Sequence, residues 1–166
     1  MTVEINFGSL WTYAADASDE RLALTRLSDE NTHVHGLLQI VVGGNALPSL
    51  GFFGPDDVCF NTWVHELAVV SRTVATSDLA AHVFDEGEQG QPAFHFERTG
   101  GEVLVSVRTS SISGGPGDPT WDRVPCALED FVAAVSGFMI QFRATLITQA
   151  GSERAELWWR QFSEPA

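Results

Sequence analysis

The chain has 166 residues, of which 44% are hydrophobic and 19% are charged, a balance typical of one globular domain covering 1–166. Its formal net charge is −13, and its nine basic residues are all arginine. This acidity disfavours direct nucleic-acid binding, which requires a basic face against the phosphates, and it favours a basic protein partner.

Localisation is predicted from what the sequence lacks. Residues 1–10 do not combine a basic start with an apolar run, so no signal peptide is indicated. No stretch approaches the roughly eighteen uninterrupted apolar residues of a membrane span. Two cysteines, Cys59 and Cys126, are too few for a disulfide framework and read as small core residues. We therefore expect a cytoplasmic protein that does not bind membranes.

The first third of the chain alternates apolar and polar residues, as strands with one buried face do. Val3, Ile5 and Phe7 begin this pattern. The most apolar run, 34–42, is interpreted as a central strand because it is rich in branched residues and ends at a Gly-Gly-Asn turn signal. The predicted strands cover 3–7 with an extension to 13, then 21–27, 34–42 and 46–53.

A helix is predicted over 55–75. Pro55 suits a first helical position, Asp56 and Asp57 suit the first turn, and apolar residues then recur at spacings of three and four. Cys59 would lie inside this helix and be inert. The following segment, 79–84, is interpreted as a strand.

The clearest hairpin joins Phe94 and Phe96 to a run with valine at every second position from 103 to 107. Gly100 and Gly101 between them suit the two positive φ angles of a type I′ turn. A glycine- and proline-rich loop over 110–120 then leads to a short extended run, 121–126.

The longest helical pattern follows that run and ends before Gly151. Its apolar residues repeat with a period of 3.6, and a helix this apolar requires a sheet to pack on. Ser152 is placed to cap a short terminal helix. The apolar stripe consists of Leu128, Phe131, Val132, Val135, Phe138, Met139, Phe142 and Leu146.

These elements predict an α+β fold: an antiparallel sheet of about six or seven strands, two main helices packed on one face, and a short C-terminal helix. One face of such a sheet can remain wet. The residues expected to be exposed there, or to contact a partner, are His95, Glu97, Glu102 and Arg108.

His33 and His35 are the nearest approach to a metal motif, because alternate residues of a strand point to one face. A third ligand would come from a carboxylate or from His65, His82 or His95, each of which is isolated in sequence. Exposed loop histidines are the simpler interpretation. We therefore predict no metal and no cofactor.

Two features suggest a partner surface. Asp85, Glu86 and Glu88 concentrate negative charge in a glycine-containing loop without a calcium-binding pattern, which is typical of either a solvated loop or a binding patch. Trp158 and Trp159 are neighbours on a helix and point about 100° apart. Either one of them is core and the other partly exposed, or both dock on the domain.

No nucleophile motif is present, and no catalytic residue is predicted.

The order of elements resembles the WapI-type immunity proteins of bacterial polymorphic-toxin systems. The resemblance covers about residues 33 to 145 and includes the helix with Phe60-Asn61-Thr62-Trp63-Val64-His65-Glu66-Leu67, the Gly100-Gly101 hairpin, Trp121 and the helix with Phe131 and Phe138. It implies an α+β domain that neutralises a toxin by binding and performs no chemistry. It supplies no motif positions from which binding residues could be transferred.

We therefore predict a non-catalytic protein-binding module, an immunity or inhibitor protein that neutralises a basic bacterial toxin. Two alternatives stay open. One is a small metal-dependent hydrolase using His33, His35 and nearby acids; the other is a structural subunit that self-associates through its terminal aromatic residues. The sequence leaves the oligomeric state undetermined.

Overall fold

A computed structural model describes residues 1–14, 20–28, 32–51, 53–85 and 90–162. The described residues form nine strands in two antiparallel sheets, together with three α-helices. In chain order these elements are β1 (Val3–Tyr13), β2 (Arg21–Leu22), β3 (Val34–Val42), β4 (Asn45–Ala46), β5 (Val58–Cys59), α1 (Phe60–Thr76), β6 (Ala81–Phe84), β7 (Ala93–Thr99), β8 (Glu102–Arg108), β9 (Val124–Ala127), α2 (Leu128–Ala150) and α3 (Ser152–Trp159).

The first sheet has the order β2-β1-β3-β4, and β5 also pairs with β3. Strand β3 runs over 34–42 as predicted, and its even-numbered residues are buried while its odd-numbered ones are exposed or half-buried. The register between β1 and β3 shifts between Gly8 and Trp11, where Ser9 has a φ of +51°. Beyond this irregularity, Trp11 and Thr12 pair with His35 and Val34 at the beginning of β3.

The second sheet has the order β6-β7-β8-β9. Its hairpin is confirmed, since Thr99 pairs with Glu102 across the two glycines. Only Gly100 has a positive φ, +60°, so the prediction of two positive angles at this turn is wrong. One positive angle at the first central position is the requirement of a type II′ turn, which also fits the twist of a hairpin.

Helix α2 joins the two sheets. Its Phe138 and Phe142 rings lie 5.7 and 5.2 Å from the ring of Phe7 in β1, and Phe131 lies 5.8 Å from Phe96 in β7. All these rings belong to one continuous hydrophobic core. A buried phenylalanine contributes about 1.5–3 kcal/mol to folding, so this cluster is a main source of stability.

The α+β class is thus confirmed, whereas the single sheet of six or seven strands is replaced by two smaller sheets. Helix α1 also contacts the second sheet, through Trp63, whose ring lies 5.0 Å from Phe84 and 5.2 Å from Phe94. A sequence pattern gives strands but not their pairing, and long-range pairing decides how strands divide between sheets.

Helix α1 begins at Phe60 rather than at Pro55. The preceding residues, Val58 and Cys59, are extended and pair with Gly36 and His35 of β3. The favourable proline and aspartates therefore form a turn instead of a first helical turn. Pairing with a buried strand outweighs local helix propensity here.

Several other boundaries differ in the same way. The predicted strand 21–27 is a two-residue strand followed by a 3₁₀ turn, Leu24–Arg26, which buries Leu24 and Leu27. Of the predicted strand 46–53, residue 52 lies outside the described residues, and among the others only Ala46 belongs to a strand, β4. The run 121–126 becomes the end of a 3₁₀ turn and part of β9. Ser152 is the first residue of α3 and makes no capping hydrogen bond; Gly151, with φ +86°, occupies the cap position.

Of the four residues expected to be exposed on the sheet face, Glu102 and Arg108 are exposed and His95 and Glu97 are half-buried. The outer side of β8 is covered, since Ser106 is buried and its Oγ accepts a hydrogen bond of 2.9 Å from the backbone N–H of Arg123. The segment before β9 thus lies over this face.

Among the described residues, α2 alone is long and apolar enough, by length and composition, to cross a membrane. The core helix of a soluble domain has the same properties. Six side chains of α2 are buried in the domain core, namely Phe131, Val135, Phe138, Phe142, Leu146 and Ala150.

Candidate functional site

Three potential metal ligands meet where β3 begins. His33 immediately precedes β3, His35 lies within it, and Cys59 is paired with His35 in the neighbouring strand β5. One ligand atom from each residue lies within 4.8 Å of the other two. We call these three residues the histidine–cysteine cluster. The structure thus brings the predicted histidine pair together with a thiol that the sequence pattern had placed inside a helix.

Asp57 lies directly behind the cluster and is buried. Its Oδ1 atom is 2.8 Å from Nδ1 of His35, and its Oδ2 accepts a hydrogen bond of 3.0 Å from the Tyr13 hydroxyl. The Arg21 guanidinium reaches the same carboxylate at 4.0 Å. A buried carboxylate needs partners of this kind, and in return they fix the ring orientation of His35.

Aromatic rings enclose His35. Trp11 stacks on its imidazole with a centroid distance of 4.9 Å, and Tyr13 meets it edge-on at 4.9 Å. The Arg21 guanidinium lies over the Trp11 ring, 4.2 Å from its centroid. Burial lowers the pKa of His35 below its usual value, and this effect exceeds the opposing effect of the hydrogen bond that His35 donates to Asp57. At neutral pH His35 is therefore uncharged and retains a lone pair on one ring nitrogen.

Side chains of β1, α1 and α3 hold the backbone around His33 in place. The Thr12 hydroxyl donates to the His33 carbonyl at 2.8 Å, and Asn61 of α1 accepts from the Val34 N–H at 2.9 Å. Trp158 of α3 donates to the Thr32 carbonyl at 2.9 Å. Although the His33 side chain is exposed, its position is thus set by elements from both ends of the chain.

The other histidines, which the sequence analysis offered as third ligands, lie outside the histidine–cysteine cluster. His82 is paired with Glu66, 2.7 Å from Nε2 to the carboxylate, and His65 is exposed on α1. His95 is half-buried on β7 of the second sheet. The second cysteine, Cys126, is buried, as predicted for a small core residue, and burial raises its thiol pKa to about 11.

A groove of about 510 Å³ lies further along β3. Its walls are Leu37, Leu38 and Gln39 of β3 and most of the segment 46–55. Phe53, in the same segment, exposes 69% of its surface. An exposed phenylalanine beside an apolar groove is unusual for surface that faces only water.

The predicted acidic patch is described only at Asp85, because Glu86 and Glu88 lie outside the described residues. Asp85 accepts three hydrogen bonds: 2.6 Å from Ser110 Oγ, 2.9 Å from the Ser111 N–H and 2.8 Å from Ser111 Oγ. These bonds lower the pKa of Asp85. The carboxylate therefore ties the end of β6 to the loop after β8. The role of the three acidic residues in partner binding stays a prediction.

The two terminal tryptophans differ sharply. Trp158 is fully buried and contacts Phe142 and Phe162, so its side chain presents no exposed surface in this structure. Its role as a partner contact stays a prediction. Trp159 is half-buried, and the Arg143 guanidinium lies 5.8 Å from its ring centroid. The alternative of one core and one partly exposed tryptophan is confirmed, with Trp159 as the partly exposed one.

The chain was also compared with known proteins. No family model, curated protein or solved structure gives a significant match. The resemblance to WapI-type immunity proteins therefore stays a prediction, and any function must be argued from the site itself.

Proposed function

We propose that this protein is a non-catalytic binding module, an immunity or inhibitor protein that neutralises a basic bacterial toxin by direct contact. The observation that carries the proposal is the apolar groove beside the exposed Phe53 on a protein of net charge −13. An apolar anchor would hold such a partner, and the acidic surface would attract it.

The groove suits an interface core. Leu37 and Phe53 are among the exposed large hydrophobic residues of the described chain, and both belong to the segments that form its walls. A partner side chain inserted between β3 and the segment 46–55 would bury apolar surface on both proteins. Binding energy usually concentrates in a few such anchors rather than spreading over the whole contact.

Charge supports a basic partner. Within the described part of the chain, five of the nine arginines form ion pairs with carboxylates, so much of the positive charge is matched locally. Exposed carboxylates that have no such pair among the described residues include Glu4, Glu20 and Glu129. Asp56, at the end of the groove next to Pro55, is exposed. The intramolecular pairs are Arg21–Asp57, Arg98–Asp78, Arg108–Asp122, Arg123–Glu97 and Arg143–Glu156.

The decisive test uses the product of the neighbouring gene, which this proposal requires to contain a toxin domain. Co-expression in a bacterial host should restore growth, and the purified proteins should form a stable complex whose association slows as salt rises, because screening shortens electrostatic reach to roughly 8 Å at physiological ionic strength. Phe53→Ser should weaken binding at least tenfold, since it removes the anchor.

Ile112→Ser is the matched control, because Ile112 exposes 68% of its surface but lies in the loop after β8 and does not line the groove. It should bind like the unmodified protein. Equal effects of the two substitutions, or failure of the complex to form, would remove the basis of the proposal. Self-association, the structural alternative, is tested separately by sedimentation over a range of protein concentrations without toxin.

A further inference from the structure

We propose that the histidine–cysteine cluster is a zinc site, in which His33, His35 and the Cys59 thiolate bind Zn²⁺ through one atom each and leave a fourth position for water or another ligand. This inference is independent of the protein-binding function. It goes against the sequence-based expectation of no metal, because the sequence pattern concealed the third ligand.

The spacing of the ligand atoms is close to what the ion requires. One atom from each residue lies within 4.8 Å of the others, whereas the ligands of tetrahedral zinc, at bond lengths near 2.0–2.3 Å, lie about 3.3–3.8 Å apart. Movements of about 1 Å at the side-chain ends are enough to close this difference. His33 is exposed, so its side chain has room to adjust.

The backbone explains why the three residues share one side of the sheet. His33 and His35 are two residues apart on extended chain, and Cys59 lies directly opposite His35 in the antiparallel register. Alternate residues on one strand and opposed residues on neighbouring strands point to the same face. Regular sheet geometry thus supplies His35 and Cys59, and the Thr12 hydrogen bond holds the backbone of His33 immediately before β3.

Asp57 has the position of a supporting residue. Carboxylates commonly accept the second ring N–H of a metal-bound histidine, which fixes the ring and strengthens the other nitrogen as a donor. In this protein Asp57 lies 2.8 Å from Nδ1 of His35, so Nε2 is the nitrogen left for the metal. The Tyr13 hydroxyl, bound to the other carboxylate oxygen, holds Asp57 in turn.

The donor set determines which ion fits. Two imidazoles and a thiolate suit zinc, while Mg²⁺ and Ca²⁺ require mainly oxygen ligands. On binding, the Cys59 thiol gives its proton to solvent and the sulfur forms the bond to the metal, so that the site takes up one Zn²⁺ and releases one proton. Three protein ligands and an open position are also the composition of zinc sites that bind water or substrate.

Titration of the metal-free protein, purified without a histidine tag, tests this site. Zn²⁺ should bind with a stoichiometry of one and Mg²⁺ should not bind. Co²⁺, as a spectroscopic substitute, should give a sulfur-to-metal charge-transfer band together with the intense visible bands of four-coordination. His33→Gln and Cys59→Ser should each weaken Zn²⁺ binding by more than about 100-fold, since loss of a second-shell partner alone costs about 10–100-fold.

His65→Gln is the matched control, because His65 is an exposed histidine outside the cluster. It should bind Zn²⁺ like the unmodified protein. Thermal unfolding of each metal-free variant checks that it folds; if Cys59→Ser does not, the exposed position of His33 allows His33→Gln to decide. The proposal is overturned if the unmodified protein binds no Zn²⁺, if His33→Gln binds it as tightly, or if the Co²⁺ complex lacks the sulfur band.

Discussion

Nδ1 of His35 and Oδ1 of Asp57 lie 2.8 Å apart, and the two side chains are only 14% and 5% exposed. One residue lies in β3 and the other immediately precedes β5, so this bond links the two strands from behind the histidine–cysteine cluster. Because burial lowers the pKa of His35, the contact joins a neutral imidazole to a carboxylate at neutral pH. It therefore acts as a hydrogen bond with a charged acceptor rather than as an ion pair.

This hydrogen bond predicts that substitutions of two adjacent aspartates change the free energy of unfolding by very different amounts. Asp57→Asn should lower the free energy of unfolding by about 2 kcal/mol, because it weakens buried hydrogen bonds to a charged acceptor from His35 and Tyr13. Asp56→Asn, at an exposed position one residue earlier, should change it by less than about 0.5 kcal/mol. Urea unfolding of both variants measures the difference, and similar effects would contradict the role assigned to Asp57.

Asp85 gives a second prediction. Asp85→Asn should lower the free energy of unfolding by about 1 kcal/mol, since an amide cannot replace a carboxylate that accepts from Ser110 and twice from Ser111. Glu4→Gln, on the exposed side of β1, is the control and should have little effect. Chemical unfolding at neutral pH measures the free energy of unfolding of both variants.

The contribution of Asp85 also has a defined pH dependence. Its pKa in the folded protein is lower than the ordinary value of 3.8, so its stabilisation is present above pH 3.8 and is lost as the pH falls through the lower folded value. The gap in stability between the unmodified protein and Asp85→Asn should therefore shrink in acid. A gap that stays constant from neutral pH to acid would show that the Ser110 and Ser111 bonds do not depend on charge.

Sequence pattern predicted the elements that are long and periodic. Strand β3, the hairpin of β7 and β8, and helix α2 were all recognised because many residues repeat the same period. The pairing of β5 with β3 was not predictable, since neither Val58 nor Cys59 shows this pairing locally. Short pairings of this kind carry almost no periodic signal.

The same limit explains the candidate site. The pair His33 and His35 was visible as alternate residues of one strand, but Asp57 and Cys59 were assigned to a helix that begins only at Phe60. An error of five residues at one helix boundary thus hid the third ligand and the supporting carboxylate. Boundaries are the weakest part of a sequence-based assignment, because local propensity there competes with tertiary pairing.

Two glycines should respond in opposite ways to alanine. Gly137 lies inside α2 with open space where a Cβ would be, so Gly137→Ala should raise stability by about 0.5–1 kcal/mol through lower unfolded-state entropy. A Cβ on Gly115 would collide with the backbone of Gly90 and Gln91, so Gly115→Ala should be destabilising. Thermal unfolding compares both, and stabilisation by Gly115→Ala would contradict the packing of this loop.

His95 provides a test of local electrostatics. Burial and the nearby Arg108 lower its pKa below 6.5, and this outweighs the opposite influence of Glu97 and Asp85. Arg108→Gln should therefore raise the pKa of His95, whereas Arg143→Gln, on α2, should leave it unchanged. Titration of the histidine ring signals by NMR measures both shifts. A lower pKa in Arg108→Gln would mean that the arginine acts mainly by another route.

The terminal tryptophans give the sharpest contrast between stability and binding. Trp158 has no exposed surface, and its ring centroid lies 4.9 Å from Phe162 and 5.9 Å from Phe142. Trp158→Ala should lower the free energy of unfolding by about 3–5 kcal/mol, because a cavity replaces a large buried side chain. Trp158→Phe should cost less, since most of the ring volume remains and Asn61 still donates to the Thr32 carbonyl at 3.3 Å.

Trp159→Ala should cost no more than about 1.5 kcal/mol, because this side chain is half-buried and a partly exposed residue loses less surface on truncation. If Trp159 is the partner contact that the sequence suggested, the same substitution should weaken the complex with the toxin domain while the free protein stays folded. Urea unfolding and binding titration on the same preparations separate the two effects. Unchanged affinity in Trp159→Ala, together with weakened affinity in Phe53→Ser, would place the interface at the groove and away from the C-terminal helix.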